Sequence, residues 1–257
     1  MMKLHYNLLI LLFLLTGINS QATQVIHVFV ALCDNVNQGI VPVPAKIGNG
    51  QDPNNNLYWG CGYGVRTFFK KDDEWTLVTQ EKPTENHILE RCIFKHKTRD
   101  AILVAEAYDG AQIKLCIEDF FLSCSGKHAR NVTIDGKSIA AGGSANLVCY
   151  VGHDGLMDFS IDQNICSAPS KSKDAIMLAC ISQSYFAPYL KKTEANPILW
   201  TTGLMAPEAY TLEAAIAIWL KNGKTEELRN AAAGAYSKYQ KCSVKAALKL
   251  LVSGYKA

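Results

Sequence analysis

The feature that most constrains the fold is an alternation of short apolar runs and amphipathic segments, which begins near residue 99. Strands are predicted at "RDAILVAEAY", "SANLVCYVG", "KDAIMLAC" and "NPILWTTG". Helices are predicted at "AQIKLCIEDFFLSC", "ISQSYFAPYLKK", "APEAYTLEAAIAIWLKNG", "KTEELRNAAAGAYSKYQ" and "SVKAALKLLVSGYK". Strands that alternate with helices indicate an α/β fold with a mostly parallel sheet and helices on both of its faces.

The first part of the chain adds a further buried strand. "QVIHVFVAL" (24–32) is a continuous apolar run typical of a strand covered on both faces. Residues 33–56 are rich in Gly, Pro and Asn and predict a long loop. "YGVRTFFKK" predicts a helix and "EWTLVTQEK" a short strand, whereas "HILERCIFKH" fits either element. Without an internal repeat or a linker, residues 23–257 are interpreted as one domain.

The N-terminal residues have the pattern of a secretory signal peptide. Lys3 precedes an apolar run from Leu8 to Leu15, and Ser20-Gln21-Ala22 fits a small-x-small cleavage site. We therefore predict a signal peptide over 1–22 and a secreted or periplasmic protein. A helix needs ~20 apolar residues to span a bilayer. The run is shorter than that, so we expect no stable membrane insertion after cleavage.

Composition excludes several classes of partner. The net charge is only +3, and no basic cluster is interleaved with aromatic residues, which argues against nucleic-acid binding. No Cys-x-x-Cys or His-Glu-x-x-His spacing occurs, so neither a metal nor a cofactor is predicted. The nine cysteines would suggest disulfides in an exported chain, with at least one left over. Cys33, Cys92 and Cys149 lie inside apolar runs and are interpreted as small buried hydrophobes.

Two predicted strands end on side chains that can perform covalent chemistry. In α/β sheets, ligands bind at the carboxyl ends of the parallel strands. There the chain places His153, an imidazole that can act as a base, and Cys180, a thiol that can act as a nucleophile. If the two strands are neighbours, both side chains leave the same edge of the sheet. Asp154 and Gly155 form a turn whose backbone N–H groups could face an oxyanion, and the helix after Cys180 would favour its thiolate.

These stretches resemble the caspase-type cysteine peptidases, which include caspases, metacaspases, clostripain, gingipains and legumain. "YVGHDG" is similar to the metacaspase-like Tyr-Ser-Gly-His-Gly-Gly, and "LACISQS" to the Cys-x-Ser stretch at the nucleophile. The resemblance extends over residues 99–202 and includes 24–32 as the first strand. It implies a three-layer α/β/α caspase-like sandwich and hydrolysis of peptide bonds in a peptide or protein substrate. His153 would be the general base, Cys180 the nucleophile, and the Gly155 and Cys180 N–H groups oxyanion donors.

Other interpretations remain open on the sequence. Asp154 stands where that family has glycine, and no acidic residue stands out for a specificity pocket. A catalytically inactive caspase-fold protein with a binding or structural role is the main alternative. Cys61 in "YWGCGYG" is a second candidate nucleophile, with His153 or His128 as its base. The same segment also fits a glycine-rich turn that packs Trp59 and Tyr63 on the domain.

Overall fold

A central sheet of eight strands organises the protein, whose computed structural model describes residues 22–255. The ten strands are β1 (Gln24–Ala31), β2 (Trp75–Glu81), β3 (Ile88–His96), β4 (Ala101–Tyr108), β5 (Ala129–Ile134), β6 (Lys137–Gly142), β7 (Leu147–Val151), β8 (Asp174–Leu178), β9 (Asn196–Thr201) and β10 (Leu251–Val252). The order across the large sheet is β10-β9-β8-β7-β1-β4-β3-β2. Strands β4, β1, β7, β8 and β9 run parallel, while β2, β3 and β10 pair antiparallel at the two edges. The predicted mostly parallel α/β sheet is confirmed.

Helices cover both faces of this sheet. The part of the chain that the structure describes has six α-helices: α1 (Val65–Lys71), α2 (Ile113–Cys124), α3 (Ser182–Thr193), α4 (Ala209–Trp219), α5 (Thr225–Gln240) and α6 (Val244–Leu250). Alternate residues of β1 face opposite sides, with Val28 in one apolar cluster and Phe29 in the other. Helices α1, α4, α5 and α6 pack on the Val28 side, and α2 and α3 on the Phe29 side. The arrangement is compatible with a three-layer sandwich.

In three segments the structure differs from the sequence prediction or decides between its alternatives. The ambiguous "HILERCIFKH" is strand β3, which pairs with both β2 and β4. Residues 129–142, to which no element was assigned, form the hairpin β5–β6 around Asp135-Gly136, both with positive φ. Asp-Gly is a strong hairpin signal and could have predicted this turn. The last predicted helix is shorter than expected, because Leu251–Val252 leave α6 and form the edge strand β10, which pairs with β9.

A cluster of buried charges lies on the Phe29 side of the sheet. Glu106 of β4 is fully buried, accepts a hydrogen bond from Arg91 Nε (2.7 Å), and lies 3.2 Å from both His27 Nε2 and Arg130 Nε. Arg130 also pairs with Glu85. Burial by itself raises the pKa of the Glu106 carboxyl, but His27 and the two arginines outweigh it and lower that pKa to about 2. The hairpin is thereby tied to the main sheet through ionised groups.

All nine cysteines lie within the described residues, and all are free thiols, so the suggestion of disulfides is wrong for this structure. Cys33, Cys92 and Cys149 are buried, which confirms their interpretation as small hydrophobes. The predicted signal peptide lies outside the described residues apart from Ala22. Among residues 22–255, no helix has the length and apolar character needed to cross a membrane.

Candidate functional site

The carboxyl ends of β7 and β8 bring His153 and Cys180 together. The two strands are parallel neighbours, with Val151 paired in register to Leu178. His153 lies two residues after Val151, and Cys180 lies two residues after Leu178. The two residues therefore occupy equivalent positions beyond the ends of strands that lie ~4.8 Å apart. Both side chains line a single cavity. The expectation that the two strands are neighbours is confirmed.

The backbone around His153 is fixed on both sides. Gly152 has φ +154°, and a Cβ at that position would lie 2.9 Å from the carbonyl oxygen of Ala31, so only glycine fits between β7 and β1. The hydroxyl of Tyr150 donates to the His153 carbonyl oxygen (2.6 Å). His153 is itself buried. Its ring therefore has a defined position at the end of the strand.

Asp158 orients the imidazole of His153. Its Oδ2 lies 2.6 Å from His153 Nε2, and the same oxygen accepts a hydrogen bond from the Gly39 backbone N–H (3.2 Å). Because an ionised carboxylate only accepts, this contact assigns the ring proton to Nε2 and leaves the lone pair on Nδ1. Sequence reasoning missed Asp158, and the only signal was a carboxylate a few residues after the histidine.

Cys180 sits on a strained turn between β8 and α3. Ile181, which follows it directly, has φ +51°, a left-handed conformation that is an outlier for a β-branched residue. Buried hydrogen bonds hold this turn: Ser182 N–H donates to Thr201 Oγ1 (3.2 Å), and Thr201 N–H donates to Ser182 Oγ (3.0 Å). Thr201 Oγ1 also donates to the carbonyl of Ala179. Such strain concentrates at functional sites, and here it fixes where the thiol leaves the strand.

The surroundings of Cys180 raise the pKa of its thiol. Burial raises its pKa, the backbone of Met205 lowers it, and the negative charge of Asp154 raises it further. Sγ donates to the Met205 carbonyl (3.6 Å) and accepts from the Met205 N–H (3.4 Å). The net change in the thiol pKa is therefore upward, opposite to the lowering expected from the following helix. Nucleophilic attack would require a base that removes the proton as the sulfur reacts.

Asp154 is the unusual residue of the "HDG" stretch, and its side chain points into the protein. The carboxyl is fully buried, Oδ1 accepts from the Leu156 N–H (3.1 Å), and Oδ2 has no partner within the described residues. Burial raises the pKa of Asp154 to about 7. Below that pH the carboxyl is predominantly protonated and adds little negative charge beside Cys180.

We predict that Asp154→Asn stabilises the protein at alkaline pH. The folded-state pKa of about 7 exceeds the unfolded value, so the native carboxyl costs free energy that grows as pH rises from 4 to 7. The asparagine carries no charge, but its buried amide group requires hydrogen-bond partners. The difference between an unfolded pKa of ~3.9 and a folded pKa of about 7 corresponds to about 4 kcal/mol. The amide adds the same cost at both pH values, so the effect of the substitution on the free energy of unfolding should be about 4 kcal/mol more favourable at pH 8 than at pH 4. Urea unfolding at the two pH values measures it.

Asp162→Asn provides the matched control for that measurement. Asp162 is exposed, lies in the same connection between β7 and β8, and also accepts a local backbone hydrogen bond. Its substitution should leave stability within about 0.5 kcal/mol at both pH values. An equal gain at pH 4 and pH 8 for Asp154→Asn would show that Asp154 is not a buried carboxyl with a raised pKa.

The candidate oxyanion donors differ from those predicted. The Gly155 N–H is occupied, because it donates to the His153 carbonyl (3.1 Å). By contrast, the backbone N–H groups of Asp154 and Cys180 donate no hydrogen bond to any group within residues 22–255. Three backbone N–H groups were predicted as oxyanion donors. Within residues 22–255 those of Asp154 and Cys180 are free, whereas that of Gly155 is occupied. These two N–H groups leave the ends of the same neighbouring strands as the candidate base and nucleophile.

The cavity that contains His153 and Cys180 has a volume of about 370 Å³ and mainly apolar walls. Its lining residues come from the long loop, the β7–β8 connection and the segment before α4: Gly39, Ile40, Val41, Val43, Leu57, Tyr58, Gly152, Met157, Leu204, Met205, Ala206, Pro207 and Glu208. The predicted loop 33–56 thus forms one wall of the site. A small, partly enclosed apolar cavity beside polar reactive groups is the usual form of a binding site.

The structure places Cys61 apart from this cavity. Its thiol donates to the Asn55 carbonyl (3.2 Å), and it lies in a turn just before α1. His128, one of its two candidate bases, contacts Asp119 and Arg130 instead. Trp59 is buried, in accord with a turn that packs on the domain. Among the described residues, no group of three or more His, Cys, Asp or Glu side chains could hold a metal ion.

No protein-family model, curated protein or solved structure matches the chain. The geometry of the site therefore carries the functional inference by itself.

Proposed function

We propose that the protein is a cysteine peptidase of caspase-like fold, which hydrolyses peptide bonds with Cys180 as nucleophile and His153 as general base. One observation carries the proposal: the two residues stand at equivalent positions on neighbouring parallel strands and line one cavity. The resemblance of "YVGHDG" and "LACISQS" to caspase-type peptidases supports the same roles. Export through a signal peptide is part of the proposal and depends on the N-terminal sequence alone.

The proposed reaction begins with proton transfer from the Cys180 thiol to His153 Nδ1. The sulfur attacks the carbonyl carbon of the substrate, and the resulting oxyanion accepts hydrogen bonds from the Asp154 and Cys180 backbone N–H groups. His153 then donates the proton to the leaving amine nitrogen, which leaves a thioester on Cys180. A water molecule, deprotonated by His153, attacks that thioester and releases the acid product and the free thiol.

The second candidate function is that of an inactive caspase-fold protein with a binding or structural role. It is favoured by the state of the thiol, which is hydrogen bonded to Met205 and has a raised pKa. For catalysis the Cys180 thiol has to give up its hydrogen bonds to Met205 and transfer its proton to His153. An inactive protein needs no such change.

Labelling with a thiol-directed peptide probe separates the two functions. The full chain is treated with a peptidyl acyloxymethyl ketone, digested, and the modified cysteine is identified by mass spectrometry. We expect modification of Cys180 and none of Cys61. Labelling that persists in Cys180→Ala, or no labelling of the wild type, would overturn the proposed nucleophile, whereas labelling lost only in Cys61→Ala would identify the alternative one.

We predict that Asp158→Asn lowers kcat through its effect on His153. General base catalysis contributes 10²–10⁴-fold, and loss of the group that orients the base should remove roughly 10²-fold of it. The affinity for substrate should change little, so the effect appears in kcat rather than in KM. Initial rates of peptide hydrolysis give both constants.

The control for this prediction is again Asp162→Asn, an exposed carboxylate on the same connection. A purely structural role of Asp158, for instance holding Gly39 of the long loop, would raise KM and leave kcat unchanged. That result would remove Asp158 as a positioning residue.

A further inference from the structure

The walls of the cavity beside Cys180 define the side chain that it can receive. They are formed largely by aliphatic and thioether groups, among them Ile40, Val43, Leu57 and Met205. A volume of about 370 Å³ lies at the small end of the range for ligand pockets, which is ~300–1,000 Å³. The cavity is therefore suited to one large side chain rather than to a folded surface.

We propose that this cavity selects substrates with an aliphatic side chain, such as leucine, on the residue whose carbonyl group Cys180 attacks. The inference rests on the proposed peptidase function and adds the class of substrate to it. Burial of a leucine side chain against these walls would remove its apolar surface from water, which favours binding. The apolar walls thus favour leucine over charged side chains, which would have to lose their hydration to enter the cavity.

The charged groups of the cavity do not favour an acidic or a basic substrate. Among the described residues that line it, none is a lysine or an arginine, so a carboxylate would find no cation. The only carboxylate in the lining is Glu208, whose Oε2 accepts from the Tyr210 hydroxyl (3.0 Å) and from Gln240 Nε2 (3.3 Å). These two hydrogen bonds orient the Glu208 carboxylate toward α4 and α5. The carboxylate is therefore poorly placed to bind the guanidinium group of a substrate arginine.

The rim of the cavity carries exposed apolar side chains. Val41 is 85% exposed, Leu204 is 71% exposed and Met157 is 39% exposed, and all three line the opening. A peptide seated with an aliphatic side chain in the cavity would cover them and remove their apolar surface from water. The rim and the walls therefore favour the same substrate class.

The test compares three peptidyl acyloxymethyl ketones that differ only in the residue next to the reactive group: leucine, arginine or aspartate. We expect the leucine probe to label Cys180 at least about tenfold faster than the other two, because pocket contacts of this kind discriminate by 10–200-fold. Equal rates on Cys180, or a faster rate for arginine or aspartate, would overturn the proposed selectivity while the peptidase function stands. Absence of Cys180 labelling by all three probes would overturn the peptidase function and this inference with it.

Two valines of the long loop provide a matched pair of variants. Val41 is 85% exposed and Val36 is 87% exposed, so neither substitution should affect folding. Of the two valines, only Val41 lines the cavity. Val41→Asp should slow labelling by the leucine probe about threefold to tenfold and favour the arginine probe. Val36→Asp should change neither rate. Equal behaviour of the two variants would show that the substrate does not pass this rim.

Discussion

Cys180→Ala is expected to reduce peptide hydrolysis by at least about 10⁴-fold, because the reaction then has no atom that can form the acyl intermediate. The residue is half-buried, and its side chain contacts only the Met205 backbone through hydrogen bonds, so the variant should still fold. Hydrolysis of a leucine-containing peptide by wild type and variant measures the loss, and thermal unfolding verifies the fold.

Cys61→Ala is the matched control for the nucleophile. Cys61 is likewise half-buried and hydrogen bonded to a backbone carbonyl, but it lies outside the cavity. Its removal should leave hydrolysis within about twofold of wild type. Retention of more than a tenth of the activity in Cys180→Ala would contradict the mechanism.

A double variant sharpens the same prediction. When two residues act together in one catalytic step, the losses of activity are not additive. The first substitution already abolishes the step, so the second causes no further loss. Cys180→Ala combined with His153→Ala should therefore be no less active than Cys180→Ala alone. Multiplicative losses would mean that the two side chains act independently, against the proposed dyad.

Glu106→Ala is expected to destabilise the fold by about 3–5 kcal/mol, because it leaves Arg91 and Arg130 buried without their shared anion. Glu106 is fully buried between β1, β3 and the hairpin β5–β6. Urea unfolding at pH 7 measures the change. Glu81→Ala is the control: Glu81 binds the same Arg91 (2.9 Å) but is 44% exposed, and its loss should cost less than about 1 kcal/mol.

The pH dependence of stability gives a second readout for Glu106. Its folded-state pKa of about 2 lies below the unfolded value of ~4.3, so its contribution is complete above the unfolded value. That contribution disappears as the pH falls through the folded value. Wild type should therefore lose stability between about pH 4.3 and 2 more steeply than Glu106→Gln. Parallel curves would show that Glu106 is not ionised in the folded protein.

Much of the fold follows from local patterns. Continuous apolar runs such as 24–32 and 147–151 predict strands buried on both faces, since neither face of a central strand meets water. Helical spacing of apolar residues predicts α2 and the helices near the C-terminus. The hairpin β5–β6 was missed because β5 has only two apolar residues on its buried side, Val132 and Ile134, although Asp135-Gly136 marks its turn.

By itself, then, the sequence determined the α/β class and the position of the two candidate residues, His153 and Cys180, after the ends of β7 and β8. These follow from hydrophobic periodicity and from the rule that parallel strands end at one edge. Only the tertiary structure decided the rest, because contacts between distant segments leave no periodic signal. It placed Asp158 on His153, occupied the Gly155 N–H while it left those of Asp154 and Cys180 free within residues 22–255, and lined the cavity with the long loop. It also raised the pKa of the Cys180 thiol, since the same walls that shape the cavity exclude water from the sulfur.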